Sequence, residues 1–157
     1  VARARDVDLD CDEPFGDAAA RVVEVRAREV FEQSDGVLDV DDIERLHDMR
    51  VATRRLRAAM EVFEACFPRR PHRKALKRVK ALADALGERR DRDVAIDFLE
   101  GLVAETPERD RAALAELIAG LREEQRDANE ALVPYLKQKR LRKLRRRLLE
   151  LAEAARS

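Results

Sequence analysis

An all-α protein, built as an antiparallel four-helix bundle, is expected from three properties of this chain. Apolar residues recur at three- and four-residue intervals over long stretches, and no stretch alternates apolar with polar as a half-buried strand would. The composition suits packed amphipathic helices: 42% of the residues are charged and 4% aromatic, with five glycines in 157 residues. Proline and glycine gather at a few points, leaving four long segments whose short connections favour antiparallel neighbours. A chain of this length forms one domain large enough for a core.

Residues 1–16 carry two arginines against five acids, and 1–13 have no apolar period. They are read as an acidic flexible tail ahead of a single bundle over 14–157. Helix one is expected from about Pro14 to Gln33, with Phe15, Ala19, Val22, Val23, Val30 and Phe31 at helical spacing. Proline suits its first turn, and Ser34-Asp35-Gly36 suits its end, where Gly36 is free to adopt positive φ. Helix two is expected from about Asp39 to Phe67. Its early acids Asp39, Asp41, Asp42 and Glu44 complement the positive end of the helix dipole, and Pro68 and Pro71 close it. Helix three starts near His72 and continues to about Glu105, with Leu76, Val79, Leu82, Ala83, Leu86, Val94, Phe98 and Leu102 on its core side and Gly87 weakening its middle. Thr106-Pro107 then caps helix four, which extends to about Ala154 through Leu114, Leu117, Ile118, Leu121, Leu132, Leu141, Leu144, Leu148 and Leu151, with a kink at Pro134.

Helix two carries the most informative pattern. At about 100° per residue, His47, Arg50, Arg54 and Arg57 fall on one narrow stripe, opposite Met49, Leu56, Ala59, Met60 and Phe63. No acid interrupts the stripe before Glu61. A solubilising face normally interleaves opposite charges at i,i+4, whereas these cations, with Arg55 beside them, repel one another. Arginine also presents a planar fork of donors that matches phosphate oxygens. The stretch from His47 to Arg57 covers roughly 15 Å of helix axis, a length suited to several linked phosphoryl groups. Arg73, Lys77 and Lys80 form a second row at the start of helix three, before Asp84 and Asp91 change its sign. Antiparallel packing of the two helices places both rows beside one groove.

Arg90 and Asp93 lie differently. Counted along Val79, Ala83, Leu86 and Val94, Arg90 falls on the core-facing seam and Asp93 close to it. They are therefore expected to form a structural ion pair, because an unpaired buried charge costs several kcal/mol. The densest charge run, Lys137–Arg147, has eight cations and no acid, arranged around most of the helix. Such runs attach to anionic surfaces, or simply complement the negative end of a last helical turn. With Tyr135 the one nearby aromatic, a single-stranded nucleic-acid platform is disfavoured.

Two cysteines, Cys11 and Cys66, do not make a disulfide framework. No apolar run is long enough to span a membrane and no secretory segment is evident, so a reduced, cytoplasmic protein is expected. His47 and His72 are the two histidines, and neither has the companions of a metal site. No glycine-rich phosphate loop is present, so neither a cofactor nor catalysis is expected.

The run His47-x-x-Arg50-Val51-x-x-Arg54-Arg55-Leu56-Arg57 resembles the signature helix of the CHAD domain, the conserved histidine α-helical domain. Leu86-Gly87-Glu88-Arg89-Arg90-Asp91-Arg92-Asp93-Val94 is similar to a second segment of that family, and the resemblance spans roughly residues 15–151. It implies an all-helical, non-enzymatic module that binds inorganic polyphosphate through basic side chains, here His47, Arg50, Arg54, Arg55, Arg57, Arg73, Lys77 and Lys80. Typical members hold two similar bundles facing across a channel, and the histidine–arginine pattern occurs once here. The chain is accordingly read as a half-length, single-bundle version whose channel is completed in a homodimer. The alternatives are a nucleic-acid-binding or protein-interaction helical module, or an accessory domain of a phosphate-metabolising enzyme.

Overall fold

Helical periodicity carries through the computed structural model, which describes residues 2–156. Its helices are α1 (Phe15–Glu32), α2 (Ile43–Val62), α3 (Arg69–Leu102), α4 (Glu108–Leu136) and α5 (Gln138–Ala155), with 3-10 turns at Glu64–Cys66 and Val103–Glu105. The described residues contain no strand. The fold is all-α, but the expected four-helix bundle is corrected to five helices. The expected fourth helix is cut in two: Pro134 lies inside α4, removes one backbone donor and crowds the preceding turn, and the helix ends at Leu136. Lys137 then takes an extended conformation, φ −59° and ψ 129°, before α5 begins. Elsewhere boundaries move modestly. α3 opens at Arg69, ahead of the expected His72, because Pro68 serves as its N-cap and Pro71 fits within its first turn.

The chain reverses direction at each step from α1 to α4, whereas α5 continues in the sense of α4, antiparallel to α3, with Arg140 beside Arg78 and Arg147 beside Lys74. Arg90 of α3 reaches the Ile43 carbonyl at the start of α2, while Lys80 meets Glu61 near its end, so these helices are antiparallel. Arg89 pairs with Asn129 and Arg122 with Glu100, which makes α3 and α4 antiparallel too. α5 packs along α1 and the first half of α3. Its close approach to α1 depends on Gly16, where a Cβ would collide with the Ala155 carbonyl. Gly36, in the turn between α1 and α2, has φ +70° as its position in the sequence implies.

The core joins Ala19, Val23 and Val30 of α1, Leu46, Met49 and Leu56 of α2, Val79, Leu82 and Leu86 of α3, and Leu141, Leu144, Leu148 and Leu151 of α5. α3 is 34 residues long against 20 for α2, so it and the first half of α4 run on beyond the α1–α2 hairpin. Residues there that the apolar pattern assigned to the core are exposed, namely Val94, Phe98 and Leu117. The helices that would cover them have ended.

The acidic segment before α1 has no regular secondary structure but is tied to the helices behind it. The Arg5 backbone N–H donates to Glu29 (2.6 Å), and Arg26 donates both to Glu29 (2.7 Å) and to the Arg5 carbonyl (3.0 Å). At its far end the Ala2 N–H donates to Asp48 (2.6 Å) and Arg55 donates to the Ala2 carbonyl (3.3 Å). Glu29 is a carboxylate buried on α1, and the strap and Arg26 satisfy its Oε1, while its Oε2 has no hydrogen-bond partner among the described residues.

Candidate anion-binding surface

The α2 stripe faces outward over its middle and meets α3 at its edge. Arg50, Arg54 and Arg57 line one wall of a groove of about 370 Å³, whose other wall is Ala83, Asp84, Gly87, Glu88 and Asp91 of α3. Arg50 and Arg54 form no ion pair with a described residue. Arg57 does: its Nε lies 3.2 Å from Glu61, which also holds Lys80 at 3.0 Å. Lys80, then Arg57, hold the Glu61 carboxyl below its ordinary range. Arg55 points to the other flank, toward Val51 and Ala58 and the strap. His47 is half-buried, with its Nδ1 out of contact with solvent and without a hydrogen-bond partner among the described residues. The stripe thus borders a groove of mixed sign.

A second, larger hollow of about 800 Å³ lies between α3 and α5 and is more uniformly charged. Lys74, Lys77 and Arg78 line it from α3, and Lys137, Lys139, Arg140, Lys143 and Arg147 from the α4–α5 corner and α5. The remaining lining is Ala81 and Pro134, so no acid is present. Arg140 stacks over the Tyr135 ring, 4.4 Å from its centroid, and none of the eight cations forms an ion pair with a described residue.

Helix direction sharpens this observation. As the last turns of a single fourth helix, the basic run would complement a negative helix end. The break at Lys137 instead places it in the first three turns of α5, where the dipole is positive. The α3 cations likewise fall in the first turns of their own helix. Of these side chains, Lys137, Lys139 and Arg140 lie within the one turn over which the dipole acts, so they add to a field of their own sign and the dipole does not account for them. The trough gathers positive charge on concave walls, which concentrates the potential there.

Of the residues singled out by sequence, the structure brings Arg50, Arg54, Arg57 and Lys80 together across α2 and α3, and sets Lys77 one turn away in the α3–α5 trough. Arg73 is exposed on the same helix, and Arg55 is turned aside. Lys74, Arg78 and the inward side of the basic run were not singled out. Their signal was present in the clustering of Lys74, Lys77 and Arg78 within five residues and in Pro134 shortly before Lys137, but it needed the helix break to be read.

The expected ion pair changes partner. Asp93 accepts from Nε of Arg89 (2.8 Å), not from Arg90, and both are fully buried. Gln125 also donates to Asp93 (2.6 Å), while Arg89 reaches Asn129 and the Asp39 carbonyl (3.2 Å) and Asn129 donates to the Leu38 carbonyl (3.0 Å). Arg90 sits at the α2 edge, 3.8 Å from Glu44. The buried positions 75, 79, 82, 86, 89, 93 and 96 alternate steps of four and three, which carries the seam to residue 89 as α4 replaces α2 as the neighbour. The network braces α3, α4 and the α1–α2 turn, and the motif around Gly87 contributes it.

Among the described residues, no group of three or more His, Cys, Asp and Glu is placed to hold a metal, and no helix is long and apolar enough to cross a membrane. No curated protein matches the chain. The family model described as the CHAD domain matches residues 21–157. That match takes in essentially the whole chain, which overturns the half-length, single-bundle interpretation. The homodimer expected to complete a channel rested on that interpretation and loses its ground with it. The chain belongs to the CHAD-domain family.

Proposed function

We propose that this protein binds inorganic polyphosphate without chemical turnover. The observation that carries the proposal is the α3–α5 trough, with eight cations, no acid and no internal ion pair. The chain's membership of the CHAD family supports the same ligand. In this reading Lys77 and Lys80, one turn apart on α3, connect the trough to the α2 stripe, so that a chain of phosphates contacts His47, Arg50, Arg54 and Arg57 at one end and α5 at the other. Arg73 adds charge at the rim. Arg55 joins them once it leaves the strap carbonyl. His47 donates to a phosphate oxygen.

The test is a titration of the full chain with long-chain polyphosphate at several salt concentrations, with duplex DNA as competitor. Binding is expected to weaken steeply with salt, because counterions are released from the polyanion. Arg50→Ala with Arg54→Ala, and separately Lys139→Gln with Lys143→Gln, should each lower affinity at unchanged thermal stability. Each lost contact should flatten the salt slope by roughly 0.7, the value for a single strand. Salt-insensitive binding, or losses that track unfolding, would sink the proposal. The basic run on α5 favours nucleic acid as the second reading, and DNA outcompeting polyphosphate would select it.

A further inference from the structure

A smaller hollow of about 320 Å³ opens beside the trough and shares Lys74 and Arg147 with it. Its character is different. Pro68, Pro71, Leu151 and Ala154 give it an apolar floor, with Arg70 and Glu150 at the edge. Bare polyphosphate has no apolar part, so binding that ligand does not call for such a floor. Volumes near 300 Å³ with a few placed polar groups are those of small-molecule sites.

The floor is also preformed. Both prolines have φ locked by their rings, Pro68 at −58° as the N-cap of α3, and Leu151 is held in the core. A flat ring placed there displaces water from a floor whose own atoms are already ordered. Arg70 offers a guanidinium plane for stacking. Glu150, 3.6 Å from Arg146, offers an acceptor for an amine or hydroxyl.

We propose that this junction binds a nucleoside polyphosphate, or the nucleoside-capped end of a phosphate chain. The base lies over Pro68, Pro71 and Ala154, and the phosphates pass between Lys74 and Arg147 into the trough. The inference rests on the polyanion reading of that trough and adds the class of ligand its end selects.

Calorimetric titration of the full chain with ATP and with inorganic tripolyphosphate, at one salt concentration and without divalent metal, separates the two ideas. ATP is expected to bind about tenfold more tightly, the increment of one stacked base. Ala154→Phe, which fills the hollow, should reduce ATP to the affinity of tripolyphosphate and leave tripolyphosphate itself unchanged. Arg70→Ala, at an exposed position, should lower the preference for ATP in the same direction without touching the core. Equal affinities for the two ligands in the unaltered protein would overturn the inference and leave the polyanion reading standing. Failure of tripolyphosphate, ATP and long-chain polyphosphate alike would remove both.

Discussion

Arg89 is a guanidinium with no solvent exposure, and its worth depends on partners contributed by three parts of the chain. Removing it leaves the Asp93 carboxylate buried with only Gln125 to answer it. Arg89→Ala is therefore expected to cost about 3–5 kcal/mol, whereas Arg90→Ala, at a partly exposed site with a long contact to Glu44, should cost about 1 kcal/mol or less. Chemical denaturation of the two variants measures the contrast, and equal losses would restore Arg90 as the structural arginine. Gly36 makes a second residue-level case. Its φ of +70° is strained for any residue with a Cβ, and the Arg45 side chain over it would have to shift, so Gly36→Ala should lower stability by about 1–2 kcal/mol in the same assay.

Among the elements, α3 and α5 illustrate opposite uses of a helix. α3 continues unbroken through Gly87, because packing on α2 and α4 outweighs the local propensity cost. A Cβ at that position would have its nearest contact at 3.9 Å, the Arg50 Nε. Gly87→Ala should thus raise the unfolding free energy by about 0.5–1 kcal/mol, and a drop would mean that Arg50 needs the space. α5 instead accepts cations at its positive end. Replacing Lys139 and Lys143 by glutamine should leave the melting temperature unchanged or slightly raised, since the dipole effect is worth a few tenths of a kcal/mol per charge. A clear fall would show that these lysines stabilise the helix.

At the scale of the whole molecule, the clamp between α1 and the end of α5 links folding to pH. Arg156 holds Glu24 with both nitrogens at 2.7 Å, and this contact first of all lowers the Glu24 carboxyl from 4.5. A carboxyl lowered by folding contributes stability above its unfolded value, and loses it as pH falls through the folded one. Arg156→Ala should therefore cost about 1 kcal/mol at neutral pH and progressively less as pH falls below 4.5 and the Glu24 carboxyl takes up its proton. Thermal melts of both proteins across that range test it, and a gap that persists in acid would assign the loss to packing.

How much of this was legible in the chain depends on the range of the force involved. The apolar register of Leu141, Leu144, Leu148 and Leu151, the helical content and the positive φ at Gly36 follow from spacing and local sterics, which each segment carries within itself. The partner of Asp93, the exposure of Val94 and Phe98, and the neutralisation of Arg57 by a glutamate shared with Lys80 depend on what a neighbouring helix places opposite. The basic run shows the division most plainly. Its charge is written in the residues, but its direction relative to a helix dipole, and the trough it closes with Lys74 and Arg78, arise where the chain breaks at Lys137 and lays α5 against the first half of α3. Whether a cation is solvated, paired or aimed at a ligand is set by long-range geometry, because Coulomb energy follows distance in space and not separation along the chain.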